Sequence, residues 1–254
     1  MCRHLAYLGP PLDLATLLLN PPHSLLQQTH APADMRGGGT INVDGFGAGW
    51  YPDGATTPIR YRRAVPMGSD PSFAALAGEV RSSAVLAAVR SATPGMPVID
   101  TACAPFGTDR WLFSHNGRIT GWPHSVATLA ARLPVTDLLT LEAPTDSALL
   151  WALVRHRLAA GDSPSRALGA VTTEVLAAAP GSRLNLLVTD GSMLAATTVH
   201  HALSVRAGDG AVLVCSEPTD QSAGWKPVPD GHLVTATPST VDVAPIPSTI
   251  IEEP

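Results

Sequence analysis

The chain has 254 residues, 45% of them hydrophobic and 15% charged, with a formal net charge of −5; this is the composition of a folded globular chain and not of a disordered one. A net negative charge without any dense basic run removes the electrostatic footprint of a nucleic-acid or anionic-membrane binder. No apolar run approaches the ~20 residues of a membrane span, and no basic segment followed by an apolar one marks a secretory signal, so a cytoplasmic setting is expected.

In chain order, residues Cys2 to Leu8 alternate loosely and are expected to form a strand that stops at Gly9-Pro10-Pro11. Leu12 to Leu19 is dense enough in apolar residues for a short helix, closed by Asn20-Pro21-Pro22. Gly37-Gly38-Gly39 ends a flexible loop, and Thr40 to Tyr51 reads as a strand whose interspersed glycines allow close backbone approach. Ile59 to Val65 is a further strand. Pro71 to Val80 is a helix with Asp70 as its N-cap. Ser83 to Val89 is an apolar run of strand length, delivering Arg90-Ser91-Ala92-Thr93-Pro94-Gly95 into a turn.

Trp111 to Phe113 is a strand running into Ser114-His115-Asn116-Gly117, where Asn-Gly is a hairpin signal. Ser125 to Leu133 is helical. Ser147 to Ala159 and Ser163 to Ala179 are two longer helices in succession, which would form one covering layer. Strands follow at Arg183 to Val188, Met193 to Val199, Ala211 to Cys215 and His232 to Ala236, and an irregular Pro-rich tail from about residue 238. No repeat or linker divides the chain, so residues 2–254 are expected to form a single domain. Strands, then two helices, then strands again suit an α+β arrangement of stacked sheets with helices outside.

Cys2 is the residue with the most chemistry. If Met1 is removed, Cys2 carries both a thiol and a free α-amine, a nucleophile covalently joined to its base. An α-amine titrates near ~7.7–8, so roughly a sixth is neutral at pH 7 and able to take the thiol's proton. An amide-cleaving cysteine also needs donors aimed at the developing oxyanion. Asn116 and the Gly117 backbone N–H can supply them, although the same dipeptide can simply make a type I′ turn. Arg90 offers a fork for a carboxylate, or else a structural salt bridge. Asp146 can accept from an ammonium, or cap the helix that begins at Ser147. His4 shares a strand face with Cys2, so it either lines a site there or is a satisfied core histidine.

Three cysteines at wide spacings, Cys2, Cys103 and Cys215, form no CxxC pair and suggest neither a disulfide framework nor zinc. Cys103 and Cys215 read as small buried hydrophobes. His200-His201 are neighbours whose side chains would diverge on a strand, so no shared metal is expected. The segments Ser216-Glu217-Pro218 and Trp225-Lys226-Pro227 fall in a late loop where Glu217 or Trp225 could meet a cationic group of a substrate.

The ordered set of motifs resembles the class II glutamine amidotransferases, which are N-terminal-nucleophile hydrolases. The resemblance rests on Cys2, on Arg90-Ser91-Ala92-Thr93, on His115-Asn116-Gly117, on Thr145-Asp146-Ser147 and on the run Asp44-Gly45-Phe46-Gly47-Ala48-Gly49-Trp50. It implies a four-layer αββα sandwich. It also implies roles: Cys2 as nucleophile with its amine as base, and Asn116 and Gly117 as the oxyanion hole. Arg90 would hold the α-carboxylate and Asp146 the α-ammonium of a γ-glutamyl group, with Thr93 and His115 also at the substrate. No metal and no cofactor is implied, and the partner is a small γ-glutamyl compound; a homo-oligomer is compatible. Glutamine-using members read Arg-Trp-Ala-Thr-His-Gly, whereas Ser91 and Pro94 stand here in place of the Trp and His. A smaller wall implies a leaving group bulkier than ammonia, such as a thiol conjugate. An ammonia acceptor, by contrast, would need a synthase domain for which 254 residues leave no room.

Overall fold

The computed structural model describes residues 2–34, 36 and 41–247. Met1, the Gly37-Gly38-Gly39 loop and the end of the Pro-rich tail lie outside the described residues. In chain order the elements are β1 (Arg3–Asp13), α1 (Leu14–Leu18), β2 (Phe46–Trp50), β3 (Ile59–Arg63), α2 (Pro71–Glu79), β4 (Arg81–Val89), β5 (Phe106–Thr108) and β6 (Trp111–Arg118). They continue with α3 (Ala127–Ala130), α4 (Val135–Leu139), α5 (Asp146–Ala159), α6 (Pro164–Ala178), β7 (Arg183–Thr189), β8 (Leu194–Thr198), β9 (Ser204–Gly208), β10 (Ala211–Cys215), β11 (Lys226–Pro227), β12 (His232–Thr237) and β13 (Thr240–Pro245).

Two antiparallel sheets carry the architecture. One has the order β11-β9-β10-β1-β4-β2-β3 and the other β13-β12-β8-β7-β6-β5. Side-chain alternation with period two sorts their residues into layers. Along β1, Leu5 and Tyr7 pack outward with Leu14, Leu18 and Phe73 of α1 and α2. Ala6 and Leu8 point the other way and meet Leu112, Leu187 and Val234 of the second sheet. The outer face of that sheet, with Phe113, Leu186 and Val188, packs on Leu150, Trp151, Leu168 and Val171 of α5 and α6. The result is helix, sheet, sheet, helix: the four-layer αββα sandwich that the motifs imply.

The caps are local and follow the sequence. Asp70 Oδ1 accepts from the Phe73 N–H at 3.0 Å, and Ser163 Oγ from the Arg166 N–H at 3.3 Å, each quenching an orphan donor at a helix start. Several expectations are corrected. β1 does not stop at Gly9: it runs on through Pro10-Pro11 to Asp13, with a register irregularity between Leu8 and Leu12 against β4. The prolines fit because pairing with β10 ends at Leu8, so no ladder hydrogen bond is required of them there. The tail is not irregular from 238, since β13 pairs with β12 from Thr240 to Pro245. Asn116-Gly117 makes no hairpin turn: β6 continues through Arg118, in register with β7.

Candidate functional site

β1 lies between β10 and β4, so the residue at its start sits in the middle of a sheet. Arg3 pairs with Val89, and the same register carried one residue further sets Cys2 opposite Arg90. Cys2 is partly exposed, with its Sγ 3.8 Å from the Ser91 carbonyl oxygen that accepts from it. The Arg90 to Ala92 segment is held by the Asp44-Gly45 turn. The Arg90 N–H donates to the Gly45 carbonyl at 2.7 Å, the Asp44 N–H to the Arg90 carbonyl at 2.9 Å, and the Ala92 N–H to Asp44 Oδ2 at 2.7 Å. Gly45 has φ +142, and a side chain there would collide with Cys103 Sγ. The Asp-Gly of the glycine-rich run therefore fixes the strand end that faces Cys2. Arg90 is buried and donates from Nη1 to the Pro97 carbonyl at 2.9 Å; its other donors make no further bond among the described residues.

The second sheet supplies the other half. Along β6 the alternation sends Ser114 and Asn116 toward the first sheet and His115 toward α5. Ser114 Oγ lies 2.8 Å from His4 Nδ1, and Asn116 Nδ2 donates to Ser216 Oγ at 3.1 Å. Ser216 Oγ also accepts from the His4 N–H at 3.0 Å, so one hydroxyl joins the strand that begins at Cys2 to Asn116. Asn116 Oδ1 and His4 Nε2 are buried without partners. His4 is a core histidine rather than an exposed one. Burial, with His115 and Arg3 nearby, lowers its pKa to about 3, so its ring is neutral.

His115 is engaged on both nitrogens: Nε2 donates to the Arg183 carbonyl at 3.0 Å, which leaves Nδ1 to accept from Ser147 Oγ at 3.0 Å. Burial holds this ring below the usual histidine range too. Its ring lies over Gly117, where any side chain would strike the Arg183 carbonyl and His115 Nε2. His115 thus tethers β6 to the start of α5, and Gly117 is the residue that lets it. Thr145, not Asp146, is the N-cap of α5, with its hydroxyl accepting from the Ala148 N–H at 3.2 Å. Asp146 occupies the first turn, is buried, and accepts from the Ile119 N–H at 3.0 Å and the Ser147 N–H at 2.8 Å.

Thr93 and Asp146 share a cleft of about 510 Å³ that Pro94, Met96, Ile119 and Trp122 also line. Cys2, Arg90, Asn116 and Gly117 do not line that cleft. Cys2 and Arg90 lie at adjacent strand ends of the first sheet, and Asn116 and Gly117 lie near the end of β6 in the second. A larger cavity of about 760 Å³ opens on the β10 side of β1, with His23, Ser204, Ser216 and Val228 among its walls. Two late-loop expectations change. Glu217 is buried and fully engaged, its Oε1 accepting from Arg3 Nε at 2.7 Å and its Oε2 from His23 Nε2 at 2.6 Å and the Ala33 N–H at 2.7 Å. Trp225 has Arg206 over its ring at 4.8 Å and donates from Nε1 to Asp220 at 2.9 Å. Both carboxylate oxygens of Glu217 are thus already engaged, and Arg206 covers one face of the Trp225 ring.

Cys103 and Cys215 are buried free thiols. Burial raises both, Cys103 to about 11, so neither competes as a nucleophile. No group of His, Cys, Asp and Glu suited to a metal occurs among the described residues. No helix among them is long and apolar enough to cross a membrane. Sequence reasoning gave Arg3 no role, although it directly follows Cys2. It singled out the segment Ser216-Glu217-Pro218 for a substrate contact, but not the bond from Asn116 to Ser216, whose partners lie 100 positions apart.

The family of class-II glutamine amidotransferases matches residues 14–207. In sequence, the chain is 42% identical over 246 residues to the gamma-glutamyl-hercynylcysteine sulfoxide hydrolase of Mycolicibacterium smegmatis, covering 97% of this chain and 100% of that one. Among solved structures, a glutamine aminotransferase class-II domain protein from Silicibacter pomeroyi superposes with a TM-score of 0.70 at 25% identity, over 97% of this chain and 100% of the other. The glutamine phosphoribosylpyrophosphate amidotransferase of B. subtilis shares the fold, with a TM-score of 0.63 at 13% identity, over 98% of this chain and 50% of its own.

Proposed function

The chain belongs to the class-II glutamine amidotransferase family, and from that premise we propose that it is an N-terminal cysteine amidohydrolase. Its substrate is γ-glutamyl-hercynylcysteine S-oxide, and its products are glutamate and hercynylcysteine S-oxide, a step of ergothioneine biosynthesis. The observation that carries the leaving group is the relative matched end to end at 42% identity, which bears that activity in its name. Support for the reaction type comes from Cys2 at the head of a central strand, with Arg90 opposite it on β4 and with His4, two residues along the same strand, joined through Ser216 to Asn116.

The chemistry runs as follows once Met1 is removed. The Cys2 α-amine takes the thiol proton, and the thiolate attacks the γ-carbonyl carbon. Asn116 and the Gly117 N–H receive the oxyanion. The amide C–N bond breaks as the ammonium returns its proton to the departing amine, leaving a γ-glutamyl thioester. Water, deprotonated by the same amine, then releases glutamate and restores the thiol. Arg90 has donors left for the α-carboxylate, in a bidentate geometry that lysine does not reproduce. Asp146 keeps lone pairs beyond its two backbone bonds for the α-ammonium, beside Thr93. His115 serves by holding β6 against α5. The glutamyl group lies on the β4 side of Cys2 and the leaving group on the β10 side, where the larger cavity gives it room.

The test is glutamate release from a panel: glutamine, a γ-glutamyl cysteine conjugate, its sulfoxide and glutathione. Mass spectrometry of the same sample reports whether Cys2 is N-terminal. The expected order of kcat/KM puts the sulfoxide conjugate first and glutamine last. Glutamine turning over as well as the conjugates would return the protein to the ammonia donors. Glutathione leading the panel would replace the named leaving group with a general γ-glutamyl thiol.

A further inference from the structure

The two halves of this site stand on different sheets, and nothing in a sandwich by itself keeps their spacing. The residues just beyond β10 do. Ser216 and Glu217 are neighbours in the bend that follows β10, and their side chains go to different partners. Ser216 points between the sheets, where its hydroxyl accepts from Asn116 Nδ2 at 3.1 Å and from the His4 N–H at 3.0 Å, while the Ser216 N–H donates to the His4 carbonyl at 2.9 Å. Glu217 points outward to Arg3, Nε to Oε1 at 2.7 Å. Arg3 then donates from Nη1 to the Cys2 carbonyl at 3.0 Å and from Nη2 to the Asp34 carbonyl. Arg3 and Glu217 are only 2% and 3% exposed. A buried ion pair is weak evidence for stability, because desolvation offsets much of its Coulombic gain. What it supplies is geometry: Nε, Nη1 and Nη2 of Arg3 and both carboxylate oxygens of Glu217 each have a defined partner.

We propose that Ser216 and Glu217 are a registering pair of positioning residues for the amidohydrolase reaction. Ser216 aims the oxyanion donor Asn116, and Glu217, acting through Arg3, fixes the backbone of Cys2, so one dipeptide sets the distance between nucleophile and oxyanion hole. The inference rests on the amidohydrolase reading above. A misplacement of about 1 Å remote from the reacting atoms can cost roughly 10²-fold in rate, which is the scale to expect.

The experiment compares Ser216→Ala, Ser216→Thr and Glu217→Gln with the parent enzyme on a γ-glutamyl cysteine sulfoxide conjugate. Amide hydrogen exchange at Arg3 and His4 is followed by NMR without substrate. Ser216→Ala and Glu217→Gln should each lower kcat by roughly 10–10²-fold with KM held within about twofold, and Ser216→Thr, which keeps the hydroxyl, should recover most of the rate. In Ser216→Ala the His4 amide should lose protection while Leu5 to Leu8 keep theirs. Variants that keep kcat overturn the pair. So does a parallel fall of kcat, apparent affinity and protection along all of β1, the mark of a merely structural role. A parent that releases no glutamate from any γ-glutamyl compound refutes the amidohydrolase reading instead. In that case unchanged His4 protection in Ser216→Ala still overturns the pair.

Discussion

The layer between the two sheets has two unlike ends. Over most of its length it is apolar, with Ala6, Leu8, Leu86, Leu112, Leu187, Val214 and Val234 in mutual contact. At the end where β1 begins, the same strands turn polar: Cys2, His4, Arg90, Ser114, Asn116, Asn185 and Ser216 take over the inward positions. The apolar region is held by non-directional burial, to which a leucine contributes about 1.5–3 kcal/mol, and it depends on volume more than on any single contact. The polar end is held by directional bonds, and it leaves Asn116 Oδ1, His4 Nε2 and His201 Nε2 buried without partners. Orphan groups of this kind are costly in a finished core and are retained where a site must stay preorganised. The difference shows that one continuous layer can be held by non-directional burial at one end and by directional bonds at the other.

Substitutions can break that contrast, beginning with the largest effect on turnover. Cys2→Ala should abolish glutamate release while the melting temperature stays within a few degrees of the parent, since Cys2 is partly exposed. Substantial residual turnover by the purified variant removes Cys2 as nucleophile. Asn116→Ala should lower kcat by about 10²–10³-fold with a smaller effect on KM, the range for losing one oxyanion donor. A raised KM with kcat intact would instead make Asn116 a ground-state contact. Leu86→Ala, in the apolar region, should behave oppositely. It should cost about 2–5 kcal/mol of stability by denaturant titration and leave kcat within about twofold where the variant is folded.

The smallest effect sharpens the comparison through pH. Burial lowers His4 and His201 to about 3, each also beside other cationic or imidazole groups. Their folded values lie below the ordinary ~6.5, so the unfolded chain binds more protons. The stability they confer is complete above about pH 6.5 and is lost as the pH falls toward 3. The melting temperature should fall between pH 7 and pH 5, and by about 4 °C less in His201→Gln. Identical slopes for the two proteins would show that His201 titrates alike in the folded and unfolded chains.

Some of this was legible without coordinates because it is local. Apolar runs of strand length gave β4, β7 and β10, the Asp70 cap gave α2, helical spacing gave α6, and the motif residues announced the amide chemistry. What local sequence leaves undetermined is whatever depends on a distant partner. Asn-Gly has the same turn propensity in a hairpin as in a strand, and it is β7, some 70 residues on, that pairs with it and keeps β6 extended through Arg118. Pro10-Pro11 are tolerated in β1 because β10 stops pairing at Leu8. Thr240–Pro245 becomes a strand only because β12 offers it an edge. Ser216 and Glu217 lie in a bend just past β10, where strand alternation does not decide which face each side chain takes. That the first meets Asn116 and the second Arg3 follows from β10 lying beside β1, across 212 to 214 positions of chain, and only the packed sandwich makes those neighbours.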